Sequence, residues 1–152
     1  MEKTTGTLTN ILRHTSPANV EKYLEQHAGD LLPEEKPFSC YMRALLREKG
    51  ILQQELFLRA DIPEGYGYKL ISEEKRTRQR DTILRLCAAG RFSLQETQRA
   101  LKIYGMSPLY ARFPRDAILL SAITSCVFEI PELNTLLTAQ GQPPLRAIDS
   151  HS

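Results

Sequence analysis

The sequence has no stretch approaching the roughly 18 consecutive apolar residues that a membrane span needs. Its opening segment, Met1 to Asn10, is polar and has no apolar signal-peptide core, which predicts a cytoplasmic protein and no membrane partner. Cysteine is scarce. Cys40, Cys87 and Cys126 are far apart and sit among apolar neighbours, which predicts reduced, buried thiols rather than a disulfide scaffold. His14, His27 and His151 are isolated from the cysteines and from one another, so the spacing predicts no metal site and no cofactor. Also missing are a nucleophile with a base, paired carboxylates and a phosphate-cradling glycine loop. Asp149-Ser150-His151 contains triad residue types, but adjacent positions cannot reach triad geometry. These absences predict that the chain is not an enzyme.

What is present is an ordinary globular composition, 41% hydrophobic and 25% charged, on a chain of 152 residues. That length suits one continuous core and is short for two independent domains, so it predicts one compact unit. Charge is unevenly spread. Residues 43–115 hold 15 basic and 8 acidic side chains, whereas residues 1–42 hold 4 and 6, and residues 116–152 hold 1 and 4. A basic middle between acidic ends is the footprint expected of a phosphate-binding surface, although a solvated lysine and arginine face is the commoner origin of any single charge run.

Helical periodicity runs along most of the chain. Ser16-Pro17 predicts a capped helix start, followed by Val20, Tyr23, Leu24, His27 and Leu31 at helical spacing, with an end near Pro33. A second helix is predicted from Phe38 to Lys49, with Tyr41, Met42, Leu45 and Leu46 facing inward and Gly50 as a left-handed stop. A short helix follows over Gln53 to Ala60, and the Asp61-Ile62-Pro63 break separates it from another starting near Pro63 or Glu64. Arg80 opens a further helix that closes near Gly90. Ser93-Leu94-Gln95-Glu96 is a capping box for a helix running to Tyr104 and stopped by Gly105.

The second half repeats itself. Arg80-Asp81-Thr82-Ile83-Leu84 recurs 35 positions later as Arg115-Asp116-Ala117-Ile118-Leu119. Leu94, Glu96, Leu101, Gly105, Pro108 and Leu109 recur at Ile130, Glu132, Leu137, Gly141, Pro144 and Leu145, displaced by 36. Each unit reads as a helical hairpin with a Pro-Leu exit, and two such hairpins bury their apolar faces on each other. The stretch after Leu145 has no periodicity and predicts a frayed tail over residues 147–152.

Ile51-Leu52-Gln53-Gln54-Glu55-Leu56-Phe57-Leu58-Arg59-Ala60-Asp61-Ile62-Pro63 resembles the positioning helix and turn of the Cro/repressor-like (XRE-type) helix-turn-helix regulators. Phe57 stands where that family has a small residue, and Asp61 where it has glycine. Tyr66-Gly67-Tyr68-Lys69, Lys75-Arg76, Arg78 and Arg80-Asp81 are similar to a bacterial subgroup of it, with Glu73 in place of a usual glycine. The same subgroup carries elements similar to Glu96-Thr97-Gln98, Gly105 to Tyr110 and Arg115 to Ile118, so the resemblance covers about residues 38–145. It implies an all-α, lambda-repressor-like helix-turn-helix bundle extended by helical hairpins. The implied divisions are an N-terminal extension (1–36), a helix-turn-helix core (37–79), two hairpin repeats (80–146) and a tail (147–152).

It also implies transcriptional regulation through sequence-specific binding of double-stranded DNA, commonly as a homodimer. In that docking Glu64, Gly65, Tyr68 and Lys69 face the major groove, and Gly67 allows close approach. Tyr66 either packs on the scaffold or covers a sugar-phosphate edge. Gln53, Gln54, Lys75, Arg76 and Arg78 then meet the phosphate backbone. Glu64 either accepts from cytosine N4 or repels phosphate. The alternative is a helical protein-interaction adaptor that no longer binds DNA, suggested by Phe57, Asp61, Glu64 and Glu73. A protein partner would engage the N-terminal helix or the C-terminal repeat.

Overall fold

A computed structural model of the chain describes residues 5–27 and 36–148, and among the described residues the regular structure is helical throughout. The protein is all-α. None of these helices is long and apolar enough to cross a membrane. The chain divides into two units, Met1–Glu35 and Lys36–Ser152, rather than the single one its length predicts.

In the first unit, α1 spans Thr5–Arg13, a 3-10 turn spans Pro17–Asn19 and α2 spans Val20–Gln26. The sequence predicts one helix from Ser16 and none before it. The Ser16 side chain does not cap, and Pro17 opens a 3-10 turn instead. Only Tyr23 is buried among the described residues of this unit, while Leu12, Val20 and Leu24 stay exposed. The predicted end near Leu31 and Pro33 lies outside the described residues.

The second unit contains α3 (Pro37–Lys49), α4 (Gln53–Ala60), α5 (Glu64–Ile71), α6 (Arg80–Ala89), α7 (Leu94–Tyr104), α8 (Pro114–Thr124) and α9 (Ile130–Ala139). Periodicity brings Phe38, Met42, Leu45 and Leu46 of α3, Leu56, Phe57 and Ala60 of α4, and Leu70 and Ile71 of α5 into one core with α6 and α7. Ser93 and Glu96 form the predicted capping box at the start of α7.

Six of these helices end in the same closure, in which a left-handed residue lets two backbone N–H groups reach back into the last turn. At α3 the Gly50 N–H donates to the Arg47 carbonyl and the Ile51 N–H to Leu46. The corresponding left-handed residues are Asp61, Arg91, Gly105, Cys126 and Gly141. The sequence places the end of α6 at Gly90, but Gly90 has φ −82° and the left-handed residue is Arg91. Gly90 is required for a different reason: a Cβ there would meet the Phe92 ring at 2.6 Å. Cys126 occupies the matching position 35 residues on, which exposes its thiol. Only Cys87 of the three cysteines is buried, with Cys40 intermediate, so the prediction of three core thiols is corrected.

The repeat is reproduced in contacts as well as helices. α6 packs on α7 and α8 on α9, and the hairpins meet through α6–α9 and α7–α8. At their junction the Arg-Asp dipeptides exchange partners. Arg80 grips Asp116 with both terminal nitrogens, and Arg115 grips Asp81 through two bonds of 2.8 Å. Asp116 also accepts the Tyr110 N–H at 2.9 Å, and Asp81 accepts the Arg146 N–H at 2.8 Å. Each aspartate therefore holds the exit strand of the opposite repeat. Gln98 binds both backbone groups of Leu109, and its counterpart Asn134 accepts from the Leu145 N–H.

Arg85 of α6 ties this junction to α4. It is 4% exposed and donates to the Arg146, Ala60 and Leu145 carbonyls at 2.8, 3.1 and 3.0 Å. These bonds hold Arg146, and Ile148 packs on the core, so residues 146–148 are anchored rather than frayed. Residues 149–152 lie outside the described residues.

Removing a partner from the crossed pairs strands a charge. The Asp116→Ala substitution is expected to cost about 3–5 kcal/mol in urea unfolding, whereas Glu132→Ala on the exposed face of α9 stays within about 0.5 kcal/mol. The Asp81 carboxyl is subject to desolvation that raises its pKa, but the bonds from Arg115 and the Arg146 N–H outweigh it and hold the pKa below the usual value. A depressed folded pKa contributes stability that is full above the unfolded carboxylate value of about 3.9 and is lost as pH falls through the folded one. Unfolding free energy measured from pH 6 downward is therefore expected to drop below about pH 4, and this loss shrinks in Asp81→Asn.

Candidate nucleic-acid interface

α4 and α5 lie against each other across Asp61-Ile62-Pro63, giving the helix-turn-helix arrangement expected from the sequence. The turn depends on Asp61, which takes φ 56° and ψ 49°. Its N–H donates to Leu58 at 3.2 Å and the Ile62 N–H donates to Phe57 at 3.0 Å. An aspartate adopts this left-handed conformation more readily than most residues, so it substitutes for the glycine of the resembling family.

The crossing of the two helices rests on a size exchange. Phe57 is 1% exposed, and a Cβ built on Gly67 would fall 2.4 Å from its ring. The large residue on α4 is accommodated by the missing side chain on α5. Gly67 is therefore spent inside the protein, which corrects the reading that it allows close approach to DNA. Tyr66 is buried on the same side with Leu70 and Ile71, which resolves its alternatives in favour of packing.

The opposite side of α5 is open. Glu64, Gly65 and Tyr68 are exposed and Lys69 is partly so, which places the four predicted groove-facing residues on one face. Tyr68 stacks its ring edge-on against Phe57 at 5.0 Å and donates its hydroxyl to Glu64 Oε1 at 3.2 Å. Partial desolvation, together with that bond and the Glu64 charge, raises the Tyr68 pKa above the usual tyrosine value. The pair presents a fixed tyrosine and a carboxylate that is already engaged. The Lys75 N–H donates to the Lys69 carbonyl at 3.1 Å, folding the chain so that the two lysines flank the end of α5.

On α4, Gln54 is exposed and Gln53 partly so. Leu52 occupies the N-cap, and α4 has no side-chain cap. Its first-turn N–H groups are therefore left for an external acceptor. Sequence reasoning missed this, although a leucine at an N-cap is itself the signal. It also missed Leu52 and Leu58, 72% and 82% exposed, which border a cleft of about 430 Å³ with Gln54, Phe57, Ile62 and Glu64.

Two charges after α5, the buried side chain of Glu73 and the exposed Arg76, make contacts within the unit. Glu73 takes φ 60° at the position where the subgroup has glycine, and its side chain is 5% exposed. It accepts the Ser39 N–H in the first turn of α3 at 3.3 Å, where a helix N-terminus favours a negative charge. Arg76 pairs with Glu73 at 2.8 Å, donates to the Tyr104 carbonyl at 2.7 Å and lies 4.0 Å over the Tyr104 ring. Both residues fasten the segment after α5 to α3 and α7. Arg78 remains exposed at the rim of a cleft of about 440 Å³ that it shares with Arg76 and Tyr104. Among the described residues no three His, Cys, Asp or Glu side chains are grouped to hold a metal ion.

Two substitutions separate these roles by urea unfolding. Gly67→Ala is expected to destabilise by about 1–3 kcal/mol through overpacking on Phe57, and Phe57→Leu in the same chain recovers part of that loss, a coupling of at least about 0.5 kcal/mol. Glu73→Ala is expected to cost about 1–3 kcal/mol by leaving the Ser39 N–H without its acceptor and Arg76 with only the Tyr104 carbonyl, with Glu73→Gly costing less because glycine takes positive φ freely.

Comparison of the chain with protein-family models, with curated proteins and with solved structures gives no match, so its function rests on the geometry above.

Proposed function

We propose that the protein binds double-stranded DNA in a sequence-specific manner through α4 and α5, and that it acts as a transcriptional regulator. The observation that carries this reading is the split of α5 into a buried side, Tyr66, Gly67, Leu70 and Ile71, and an open side, Glu64, Gly65, Tyr68 and Lys69. An eight-residue helix held by one side to a rigid support and bare on the other suits insertion into a major groove. The resemblance to the Cro/repressor-like helix-turn-helix regulators supports the same docking.

In this reading Tyr68 and Lys69 contact base edges. Lys75, Arg78, Gln53 and Gln54 meet phosphates, helped by the uncapped first turn of α4. Arg76 acts indirectly, by fixing the path of the chain between Lys75 and Arg78. Glu64 is occupied by the Tyr68 hydroxyl, which reduces its repulsion of phosphate while leaving an oxygen free to accept from cytosine. A dimer on paired half-sites follows from how few base pairs one such helix reads.

A second reading, a protein-interaction adaptor, is favoured by Leu52 and Leu58, whose exposed side chains flank the cleft beside Glu64. Apolar groups there suit a protein surface better than a sugar-phosphate backbone.

Salt titration of duplex binding distinguishes the two. The DNA reading predicts an affinity that falls steeply with salt; each of Lys75→Gln and Arg78→Gln lowers the log–log slope by about 1, whereas Lys69→Gln relaxes base preference. The Arg76→Gln change is expected to lower thermal stability more than it lowers the slope. Absence of duplex binding at low salt, or binding unaffected by salt, would overturn the DNA reading in favour of the adaptor.

A further inference from the structure

The outer face of α7 is covered by α3, and the matching face of α9 is bare. In the first repeat, Lys49 of α3 pairs with Glu96 at 2.9 Å and lies 5.8 Å over the Phe92 ring. Tyr41 of α3 donates its hydroxyl to the Glu96 carbonyl at 3.1 Å, and Arg99 lies 5.7 Å over the Tyr41 ring. Under this cover Phe92 and Ala100 are 0% exposed.

The repeat offsets carry Phe92, Glu96, Arg99 and Ala100 onto Val127, Glu132, Thr135 and Leu136. Those four residues, with Pro131, line an open cleft of about 370 Å³. Leu136 is 41% exposed where its counterpart Ala100 is fully covered. Glu132 is exposed, and among the described residues it has no basic partner where Glu96 has Lys49. The second repeat thus retains the acid and the apolar floor of a helix-docking site and lacks the helix.

We propose that the cleft on α9 docks an amphipathic helix of a partner protein in the manner that α3 docks on α7. The molecule holds its own template for the occupant. Met42, Leu45 and Leu46 are buried at spacing i, i+3, i+4 on α3, the helix that packs on α7, and Lys49 follows three residues later to meet the acid. The partner helix accordingly carries an apolar stripe followed by a lysine or arginine that sits over Glu132.

Charge selects this occupant over a second copy of the chain. Glu132 is the one charged residue lining the cleft, while Glu129, just before α9, pairs with Arg91 at 3.9 Å. Pairing α9 with α9 of another copy would bring two Glu132 carboxylates together, whereas a basic helix end neutralises the one. Leu136 is bulkier than the alanine it matches, which narrows the floor and favours small side chains on the partner at that point.

A stapled helical peptide with the Pro37–Lys49 sequence serves as the probe, titrated into the full chain by fluorescence anisotropy and by amide chemical shifts. Binding is expected to move the amides of Val127, Thr135 and Leu136. Glu132→Lys is expected to weaken it at least tenfold, and a peptide with Lys49→Glu restores it. Leu136→Ala recreates the floor that α3 meets on α7 and is expected to tighten binding, the opposite of what loss of a merely sticky apolar side chain does. The proposal is overturned if no α9 amide responds, if Leu136→Ala weakens binding, if the charge swap fails to rescue, or if sedimentation shows a dimer that Leu136→Glu dissociates.

Discussion

Two arginine–aspartate pairs crossing between the repeats bind the two helical hairpins of the second unit to each other. Arg80 reaches Asp116, Arg115 reaches Asp81, and the aspartates in turn hold the backbone of Tyr110 and Arg146. Partly buried arginine–carboxylate pairs are strong only when their remaining valences are filled, and here the Ser107, Pro143 and Pro144 carbonyls supply further acceptors. The exchange joins the start of α6 to the start of α8 and both exit strands to both helices. Arg85 extends it to the last turn of α4, where its cation also suits the negative end of that helix. The last turn of the first helix of the helix-turn-helix is thereby bonded to a residue 25 positions downstream.

This arrangement changes the meaning of the basic middle of the chain. Arg80, Arg85 and Arg115 contribute to its positive charge, yet all three are engaged in internal bonds. Arg76 is likewise drawn onto Tyr104 and Glu73. Lys69 and Lys75 remain at the end of α5, while Arg78 is exposed beside the Tyr104 cleft. Acidic residues that look hostile to DNA are reassigned in the same way: Glu73 turns inward to the first turn of α3, and Glu64 accepts from Tyr68. The surface is thus less basic than the sequence count, and also less acidic.

Much of the fold is legible in the sequence because its stops are chemical. Gly50 and Gly105 have the positive φ that their positions suggest, Ser93 and Glu96 cap α7 as their spacing requires, and Asp61 makes the turn. The bounds of α4 follow from Gln53 and Asp61 alone. Arg91 and Cys126 escape notice because neither residue type announces a left-handed conformation, and Gly90 beside Arg91 offers a more obvious stop. α1 escapes because its threonines and asparagine disguise a helix that carries only Leu8, Ile11 and Leu12 as apolar residues. In the candidate site, exposure of Glu64, Gly65, Tyr68 and Lys69 follows from helical periodicity. The inward roles of Gly67, Glu73 and Arg76 do not, since they depend on Phe57, Ser39 and Tyr104, partners 10, 34 and 28 residues away. The repeated Arg-Asp dipeptide is visible in the sequence, but its reciprocal pairing is a property of the three-dimensional junction.

The central claim is that the open side of α5 reads base sequence while the rest of the unit positions it. Repeated selection of duplexes from a randomised pool by the full chain tests this directly. The account predicts enrichment of a short motif at a few adjacent base pairs, with the preferred bases altered by Tyr68→Phe or Lys69→Gln while the fold is retained. A pool that stays random, or a motif indifferent to both substitutions, would contradict it.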